Sequence, residues 1–518
     1  MLSIPARAGH WPLPRLRRDY ATLAAAFAGY VLFWTIINAI ANGGGLDHDT
    51  TEAYVWGREF QLGYYKHPPF WAWVAGAWFS ILPHRAWAFS LLSATNAAIG
   101  LLGSWFLIGR FTSGEKRIAA TLLLLLTPYY SWFAYRYNAN TIFLSLWPWT
   151  ALFFVRSLES ERRSDAVRFG IFAGLDMLSK YYALLLLATC AIAACVHPQR
   201  RAYFTSFRPW ISFATGALLF APHLWWLAQN GYPPIHFFAG ETGHSWSFAL
   251  RQSVSVLLES VVWLIPAALV IAVARRRIAS PGDIVARHPR LRFLAVLSFA
   301  PVLLTAVACL AFGLLLTSGT ASSTLCLAPL FLLEVMGGNK ARPIAGLTRS
   351  VCIATGTVSL ALAPLLAYGH VVHPVGVLRS FPGSDQPGRE LAAAATKIWR
   401  GKTGVPLKIV GGTLTDPAIP VSYGDPVADL VAFYSDDHPS EFIDYSTTHA
   451  PWITPRLLAR DGLLVVCPAG NADCIKAASA FAGPQSSQAS VTLSHRFLFW
   501  HGKPATFILM INPPHSTT

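Results

Sequence analysis

The sequence predicts a multi-pass α-helical membrane protein that ends in a soluble α/β domain. Of the 518 residues, 54% are hydrophobic and only 13% are charged, and the mean hydropathy is +0.43. Soluble domains carry roughly 25% charged residues, so this composition excludes a soluble globular enzyme, a coiled coil and a disordered chain. The net charge of +15 does not by itself indicate nucleic acid, because membrane proteins concentrate Lys and Arg in cytoplasmic loops.

Apolar runs bounded by charge predict eleven membrane spans. We place them at residues 20–41, 86–109, 118–134, 141–157, 168–179, 181–196, 209–228, 254–274, 292–315, 322–336 and 350–371. The first run is long enough to cross a bilayer of about 30 Å and ends without an A-x-A-like site, so we expect an uncleaved helix. The short, Trp-rich run 69–83 is bounded by proline, which favours a helix lying in the interface over a span.

The charge distribution predicts the orientation of these spans. The segments 1–19, 110–117, 156–168, 197–208, 275–292 and 337–349 contain 23 Lys and Arg residues. The loops on the opposite side contain six: Arg58, Lys66, Arg85, Arg136, Lys180 and Arg251. Because positively charged loops stay in the cytoplasm, we expect the first loop (43–85) and the C-terminus to lie outside it. A full span at 69–83 would reverse every later loop.

From about Val372 the apolar runs shorten to strand length, which divides the chain into a transmembrane domain (1–371) and a C-terminal domain (372–518). Residues 407–412, 429–434, 462–467 and 505–511 are typical of buried strands, and 388–400, 453–460 and 471–481 of helices. Strands that alternate with helices predict a small α/β domain.

Two of the seven cysteines, Cys467 and Cys474, lie in this C-terminal domain. A strand-to-helix turn of six residues can bring two Cα atoms within the roughly 4.4–6.8 Å that a disulfide needs. An oxidising compartment outside the cytoplasm would allow the bond. We therefore expect a structural disulfide, with two unpaired thiols as the alternative.

The first external loop is the part of the chain richest in ionisable groups. Residues 43–73 contain Asp47, Asp49, Glu52, Arg58, Glu59, Lys66 and His67, interleaved with Tyr54, Trp56, Tyr64, Tyr65 and Trp71. Ionisable groups crowded beside a membrane are costly to desolvate unless they pair or take part in function. The loop is therefore a candidate site, and a solvated loop with an aromatic belt is the alternative.

Two motifs in this loop, E-A-Y at 52–54 and G-Y-Y-K-H-P-P at 63–69, carry a family resemblance. They resemble the first external loop of polyprenyl-phosphate-sugar-dependent glycosyltransferases of the GT-C fold (glycosyltransferase family 39). This group includes protein O-mannosyltransferases and lipid A aminoarabinose transferases. Segments 127–148, 174–187 and 222–237 agree in order and spacing, so the resemblance covers roughly residues 20–340.

The resemblance implies transfer of a sugar from a polyprenyl phosphate to a lipid, lipopolysaccharide or other envelope acceptor. The reaction would take place on the outer face of the bacterial cytoplasmic (inner) membrane and would involve no nucleic acid. A carboxylate would take the proton of the acceptor hydroxyl as its oxygen attacks the anomeric carbon. Basic and tyrosine side chains would stabilise the charge that develops on the departing phosphate.

The resemblance also implies roles for single residues. The family usually has Asp directly before Glu-Ala, where this chain has Thr51, so we expect Asp49 to be the catalytic carboxylate, with Asp47 second. Glu52 would orient a neighbour or bind a metal. The residues expected to hold the donor phosphate are Lys66, His67, Tyr64, Tyr65, Lys180 and Arg136. Those expected to contact sugar or acceptor are Asn138, Asn140, Tyr54 and Arg58.

Several alternatives stay open at the level of sequence. A transporter or flippase of lipid-linked sugars would also carry charge in a membrane, although we find no internal repeat of the kind such proteins often show. A protein O-glycosyltransferase and a non-catalytic scaffold for polysaccharide export are further readings. A divalent metal ion stays an alternative as cofactor, although no Cys/His spacing typical of a metal site is visible. The sequence identifies neither the sugar nor the acceptor.

Overall fold

The computed structural model describes residues 13–41, 45–131, 136–240, 242–274, 289–314, 316, 321, 323–336, 347–367, 386–412, 427–497 and 500–514. Up to residue 367 the described chain is helical. Its helices are α1 (Leu13–Ala41), α2 (His48–Gly57), α3 (Phe70–Phe79), α4 (Ala86–Ile108), α5 (Gly114–Leu123), α6 (Ile142–Glu159), α7 (Arg163–Met177), α8 (Ala183–Val196), α9 (Arg200–Phe204), α10 (Arg208–Gln229), α11 (Pro233–Gly240), α12 (Trp246–Ala274), α13 (Pro289–Phe312), α14 (Ala328–Met336) and α15 (Leu347–Ala367).

Five helices in the described part of the chain are long and apolar enough to cross a membrane. They contain Ala21–Ile40, Ala86–Ile108, Arg208–Gln229, Trp246–Val273 and Pro289–Phe312. Helices α3 and α8 are apolar but shorter. The multi-pass helical prediction is therefore confirmed in class, whereas the count of eleven spans stays a prediction.

The span predicted at 118–134 is wrong as a single continuous helix. Helix α5 ends at Leu123, and two 3₁₀ turns follow, at Leu124–Leu126 and Pro128–Tyr130. Thr127 between them is extended, with ψ of 145°. Pro128 explains the break, because the residue before a proline is disfavoured in the helical region. Residues 132–135 lie outside the described chain.

Two glycines let α2 lie directly on α3. A Cβ at Gly57 would come 2.1 Å from the carbonyl oxygen of Ala72, and a Cβ at Gly76 would come 2.2 Å from that of Gly57. The contacting atoms belong to the backbone, so neither helix can yield by rotating a side chain. This close approach fixes the position of α2, and of the ionisable residues it carries, relative to α3.

We expect Gly57→Ala to destabilise the protein by roughly 1–3 kcal/mol, because the added methyl group forces two backbones apart. The unfolding temperature of the purified protein in detergent measures the effect. Gly29→Ala is a matched control, since a Cβ at Gly29 meets nothing within 4 Å. Equal unfolding temperatures for the two variants would contradict the proposed close packing.

The C-terminal part forms a five-stranded sheet with helices packed on it. Its elements are α16 (Gly388–Thr403), β1 (Ile409–Gly412), α17 (Val427–Tyr434), β2 (Ser440–Ile443), α18 (Pro455–Asp461), β3 (Leu463–Pro468), α19 (Ala472–Ser479), β4 (Ser487–Phe497) and β5 (Trp500–Asn512). The strand order is β2-β1-β3-β5-β4. Strand β1 pairs in parallel with β2 and β3, whereas β5 pairs antiparallel with β3 and β4. The structure also contains a disulfide between Cys467 and Cys474, whose Cα atoms are 5.7 Å apart.

The α/β character agrees with expectation, but one predicted strand is wrong. Residues 429–434 form helix α17 rather than a strand. A short apolar run cannot be assigned to a buried helix or a buried strand by periodicity alone. The short strand β2 and the edge strand β4 were not predicted. The predicted domain boundary at 371/372 lies outside the described residues.

Candidate active site

Three loops of the helical bundle meet beside the first turn of α3. The backbone N–H of Phe70 donates to the carbonyl of Leu178 at 2.8 Å. The hydroxyl of Tyr137 donates to the carbonyl of Trp71 at 2.9 Å. These bonds tie the loop between α2 and α3 to the loop after residue 136 and to the turn that carries Lys180.

Asp47 is buried at the start of α2 and accepts hydrogen bonds from the first turn of that helix. Its carbonyl oxygen accepts from the N–H groups of Thr50 and Thr51, at 3.2 and 3.1 Å. Its carboxylate accepts from the Thr50 hydroxyl at 2.7 Å and lies 3.6 Å from Nε of Arg136. Burial raises the pKa of Asp47 above its ordinary range, against the opposing charge of Arg136. These contacts favour a structural role for Asp47.

Asp49 is half-buried, and its environment favours the ionised form. Its Oδ2 accepts a hydrogen bond from Nδ2 of Asn138 at 3.0 Å. Burial alone would raise the pKa of Asp49, but the charges of Arg136, His48 and Lys66 and this hydrogen bond lower it overall. A carboxylate that is ionised at neutral pH and not used by its own helix is suited to accept a proton.

Asn138 connects Asp49 to Lys180 through the loop that precedes α6. Its Oδ1 accepts from the N–H groups of Asn140 and Thr141, both at 2.9 Å, so its amide N–H₂ faces Asp49. Lys180 donates from Nζ to Oδ1 of Asn140 at 2.7 Å. The structure therefore places a carboxylate and an ammonium group on two asparagines of one short loop.

Lys66 forms an ion pair with Glu52. Its Nζ lies 2.8 Å from Oε1 of Glu52, and it also stands 5.2 Å from the centre of the Tyr65 ring. Burial opposes the charge, but Glu52 and Tyr65 raise the pKa of Lys66 well above its ordinary value, so it is charged at neutral pH. The Glu52 carboxylate is thus engaged with Lys66, and a phosphate would have to share Lys66 with it.

The other aromatic residues of the motif mainly pack the loop. The hydroxyl of Tyr64 donates to the carbonyl of Trp56 at 2.5 Å, and the two rings stack. The ring of Tyr65 stacks on His449 of the C-terminal domain, with centroids 4.0 Å apart. Burial and the nearby Lys180 and Lys66 charges lower the pKa of His67 well below its ordinary value, so this imidazole is neutral at neutral pH.

Tyr54 and Arg58, expected to contact sugar or acceptor, instead face the C-terminal domain. The Tyr54 ring packs edge-on against Phe433, with centroids 5.1 Å apart. The Arg58 guanidinium donates to the carbonyls of His438 and Pro439, the latter at 2.7 Å. Both side chains therefore contact the C-terminal domain, and their contact with sugar or acceptor stays a prediction.

A second group of contacts, missed at the level of sequence, joins α2 to the C-terminal domain. Oδ2 of Asp429 lies 3.0 Å from Nδ1 of His48 and accepts from the Thr51 hydroxyl at 3.1 Å. Glu441 is fully buried beside Asp429, and burial together with this like charge raises its pKa well above the ordinary value. The sequence does contain a signal for this contact, because Asp429 lies in an apolar run. A carboxylate that is buried with such a run needs a polar or charged partner.

Among the described residues, the carboxylates and histidines near the site do not form a set of metal ligands. Within the described residues, no three His, Cys, Asp or Glu side chains are arranged to hold a metal ion. Glu52 is paired with Lys66. His223 lies 2.8 Å from the Leu62 carbonyl through Nδ1 and 2.8 Å from the Tyr181 hydroxyl through Nε2. We therefore derive no step through a metal.

We expect docking of the C-terminal domain to weaken as the pH rises. Burial alone would lower the pKa of His48, but Asp429 raises it to about 9, against an ordinary value of 6.5. Stabilisation by the imidazolium is therefore complete below pH 6.5 and lost as the pH rises through 9. The raised pKa of Glu441 acts in the same direction.

Limited proteolysis of the purified protein, followed from below pH 6.5 to above pH 9, measures this change. Cleavage around the C-terminal domain should accelerate across that interval. His48→Gln should reduce the pH dependence, since it removes one of the two groups that titrate. Cleavage rates of the unsubstituted protein that do not change with pH would show that this cluster does not stabilise docking.

Comparison with known proteins matches the helical part of the chain. The dolichyl-phosphate-mannose-protein mannosyltransferase family profile matches residues 66–226. The lipopolysaccharide core galacturonosyltransferase RgtB of Rhizobium johnstonii is 27% identical over 221 residues, which is 41% of this chain and 44% of the relative. The match thus spans less than half of that relative's length.

Two solved structures resemble the whole chain. The crystal structure of ArnT from Cupriavidus metallidurans bound to undecaprenyl phosphate has a TM-score of 0.61 at 12% identity, and covers 94% of this chain and 97% of that chain. The apo structure of the same protein has a TM-score of 0.59 at 13% identity, and covers 95% and 98%. At this identity the likeness establishes the fold, and the predicted GT-C fold is confirmed.

Proposed function

We propose that this GT-C-type membrane protein transfers a sugar from a polyprenyl phosphate to a lipid or lipopolysaccharide acceptor. The observation that carries the proposal is the pairing of Asp49 and Lys180 through Asn138 and Asn140. It brings an ionised carboxylate and an ammonium group together beside the family motif. The relative's name, which refers to the lipopolysaccharide core, and the undecaprenyl phosphate bound to ArnT support the choice of donor and acceptor.

In the proposed reaction, Asp49 takes the proton of the acceptor hydroxyl while its oxygen forms a bond to the anomeric carbon. The bond from that carbon to the phosphate oxygen breaks, and the electron pair leaves with the phosphate. The developing negative charge is stabilised by fixed positive groups, for which Lys180 and Arg136 are the candidates. Asn138 holds Asp49 in place through its amide N–H₂.

The site and the C-terminal domain are proposed to lie on the outer face of the bacterial cytoplasmic membrane. The excess of Lys and Arg in the segments assigned to the cytoplasm supports this orientation. The disulfide between Cys467 and Cys474 also supports it, since disulfides persist in oxidising compartments.

Transfer can be measured with membranes that contain the protein, radiolabelled undecaprenyl-phosphate sugars and envelope glycolipids. We expect the label to move into the glycolipid fraction. Label that appears in protein instead would favour a protein O-glycosyltransferase, the activity for which the matching family is named. Label that crosses the membrane while still attached to its carrier would show a flippase. Mass spectrometry of envelope lipids from cells lacking the protein would identify the sugar.

A further inference from the structure

The C-terminal domain contributes a charged group to the helix that carries Asp49. Asp429 lies on α17, 381 positions along the chain from His48. Its Oδ2 is the shared acceptor for His48 at 3.0 Å and Thr51 at 3.1 Å. These three side chains are all buried, so the contact excludes solvent. Two hydrogen bonds to one oxygen fix both the position and the rotation of the first turn of α2.

The charges around this contact favour a protonated His48. Asp429 faces the imidazole from α17, and Glu52 faces it from α2 at 3.9 Å. Lys66 opposes protonation from the loop that follows α2. Glu441 of β2 lies beside Asp429, and burial together with the neighbouring carboxylates raises its pKa well above the ordinary value, which favours its neutral form. The negative charge of Asp429 therefore has His48 as its nearest counterion.

His48 in turn acts on Asp49, the next residue in the chain. Three positive groups favour the ionised form of Asp49, namely Arg136, His48 and Lys66. The charge of Asp49 in turn raises the pKa of the neighbouring Asp47 carboxyl. Loss of the charge on His48 would remove one of the three positive groups.

We propose that Asp429 is a positioning residue of the transfer reaction: its Oδ2 holds His48 and Thr51, and so fixes the His48 side chain and the first turn of α2 around Asp49. The inference rests on the proposed function, in which Asp49 accepts a proton. It gives the C-terminal domain a role in the chemistry without any contact with donor or acceptor.

The pH dependence of kcat/KM tests this role. In Asp429→Asn, the buried His48 loses its counterion and becomes neutral, so the acidic limb of the profile should move to higher pH. A neighbouring charge at this range gives a shift of about one unit. Asp437→Asn is a matched control, because the Asp437 carboxylate accepts instead from Arg400 and from the N–H of Leu407, both in the C-terminal domain. Its acidic limb should stay in place.

The double variant His48→Gln/Asp429→Asn separates charge from docking. Two neutral amides can still hydrogen-bond, so the domain should stay docked while both charges are gone. We expect its acidic limb to stay shifted, even where its resistance to proteolysis equals that of the unsubstituted protein. An acidic limb that returns to its original position would reduce Asp429 to a docking residue and overturn the inference.

Failure of this inference and failure of the proposed function give different results. If the unsubstituted protein transfers sugar but all variants share its acidic limb, the inference fails and the proposed function stands. If the unsubstituted protein transfers no sugar at any pH, the proposed function fails and the inference fails with it. If Asp429→Asn does not fold, the double variant still gives the decisive profile.

Discussion

Asp49→Asn is expected to lower kcat/KM for sugar transfer by about 10²–10⁴-fold, the range that a general base contributes. Asparagine has nearly the same shape as aspartate and can keep a hydrogen bond to Asn138, but it cannot accept a proton. The variant should therefore insert, fold and bind the donor lipid like the unsubstituted protein. Transfer assays at saturating and at limiting donor concentration separate the loss in kcat from any change in KM.

Asp436→Asn provides the control for a neutralised carboxylate, since Asp436 is exposed in the turn that follows α17. It should retain normal transfer. Near-normal turnover by Asp49→Asn would instead assign the base to Asp47 or Glu52, or would mean that the acceptor is already an ionised phosphate. Combining Asp47→Asn with Asp49→Asn distinguishes these outcomes, because an ionised acceptor needs neither carboxylate.

Lys180→Ala should weaken use of the donor by about 10–100-fold in kcat/KM, since a charge-assisted hydrogen bond contributes roughly 1.5–3 kcal/mol. Lys180→Arg keeps the charge and should retain much of the activity. Asn140→Ala removes the amide that holds Lys180 but leaves the ammonium group, so its effect should be smaller.

Competition by undecaprenyl phosphate reports donor affinity directly for these three variants. We expect Lys180→Ala to raise the inhibitory concentration and Lys180→Arg to leave it nearly unchanged. If Lys180→Ala binds undecaprenyl phosphate as tightly as the unsubstituted protein does, Lys180 does not contact the phosphate.

The membrane class and the loop that carries the site were predictable because both are local properties of the sequence. Long apolar runs predict helices that lie in lipid. The ionisable residues clustered between 47 and 67 predict a candidate site next to those helices. The amide of Asn138 beside Asp49 was not predicted, since it depends on how two separate loops meet. The docking roles of Tyr54 and Arg58 depend on the C-terminal domain, whose contacts with α2 no local pattern encodes.

Helix α17 shows the same limit at the level of secondary structure. The run at 429–434 is apolar enough for either a buried strand or a buried helix, and the tertiary context decides between them. The incorrect strand prediction also hid Asp429, because the residue was treated as part of a sheet rather than as a partner for α2. An error of local structure thus concealed a contact between distant parts of the chain.

The contact between α2 and Asp429 also orders events during biosynthesis. The ribosome makes His48 early and Asp429 381 residues later, which at about 5–20 residues per second is an interval of roughly 20–75 s. During that time α2 lacks its partner from the C-terminal domain, although the preceding membrane helices are already complete. A nascent or prematurely terminated chain would therefore occupy the membrane before Asp429 holds His48 and Thr51. Under the proposed function, the first turn of α2 would take its final orientation only when nearly the whole chain had been made.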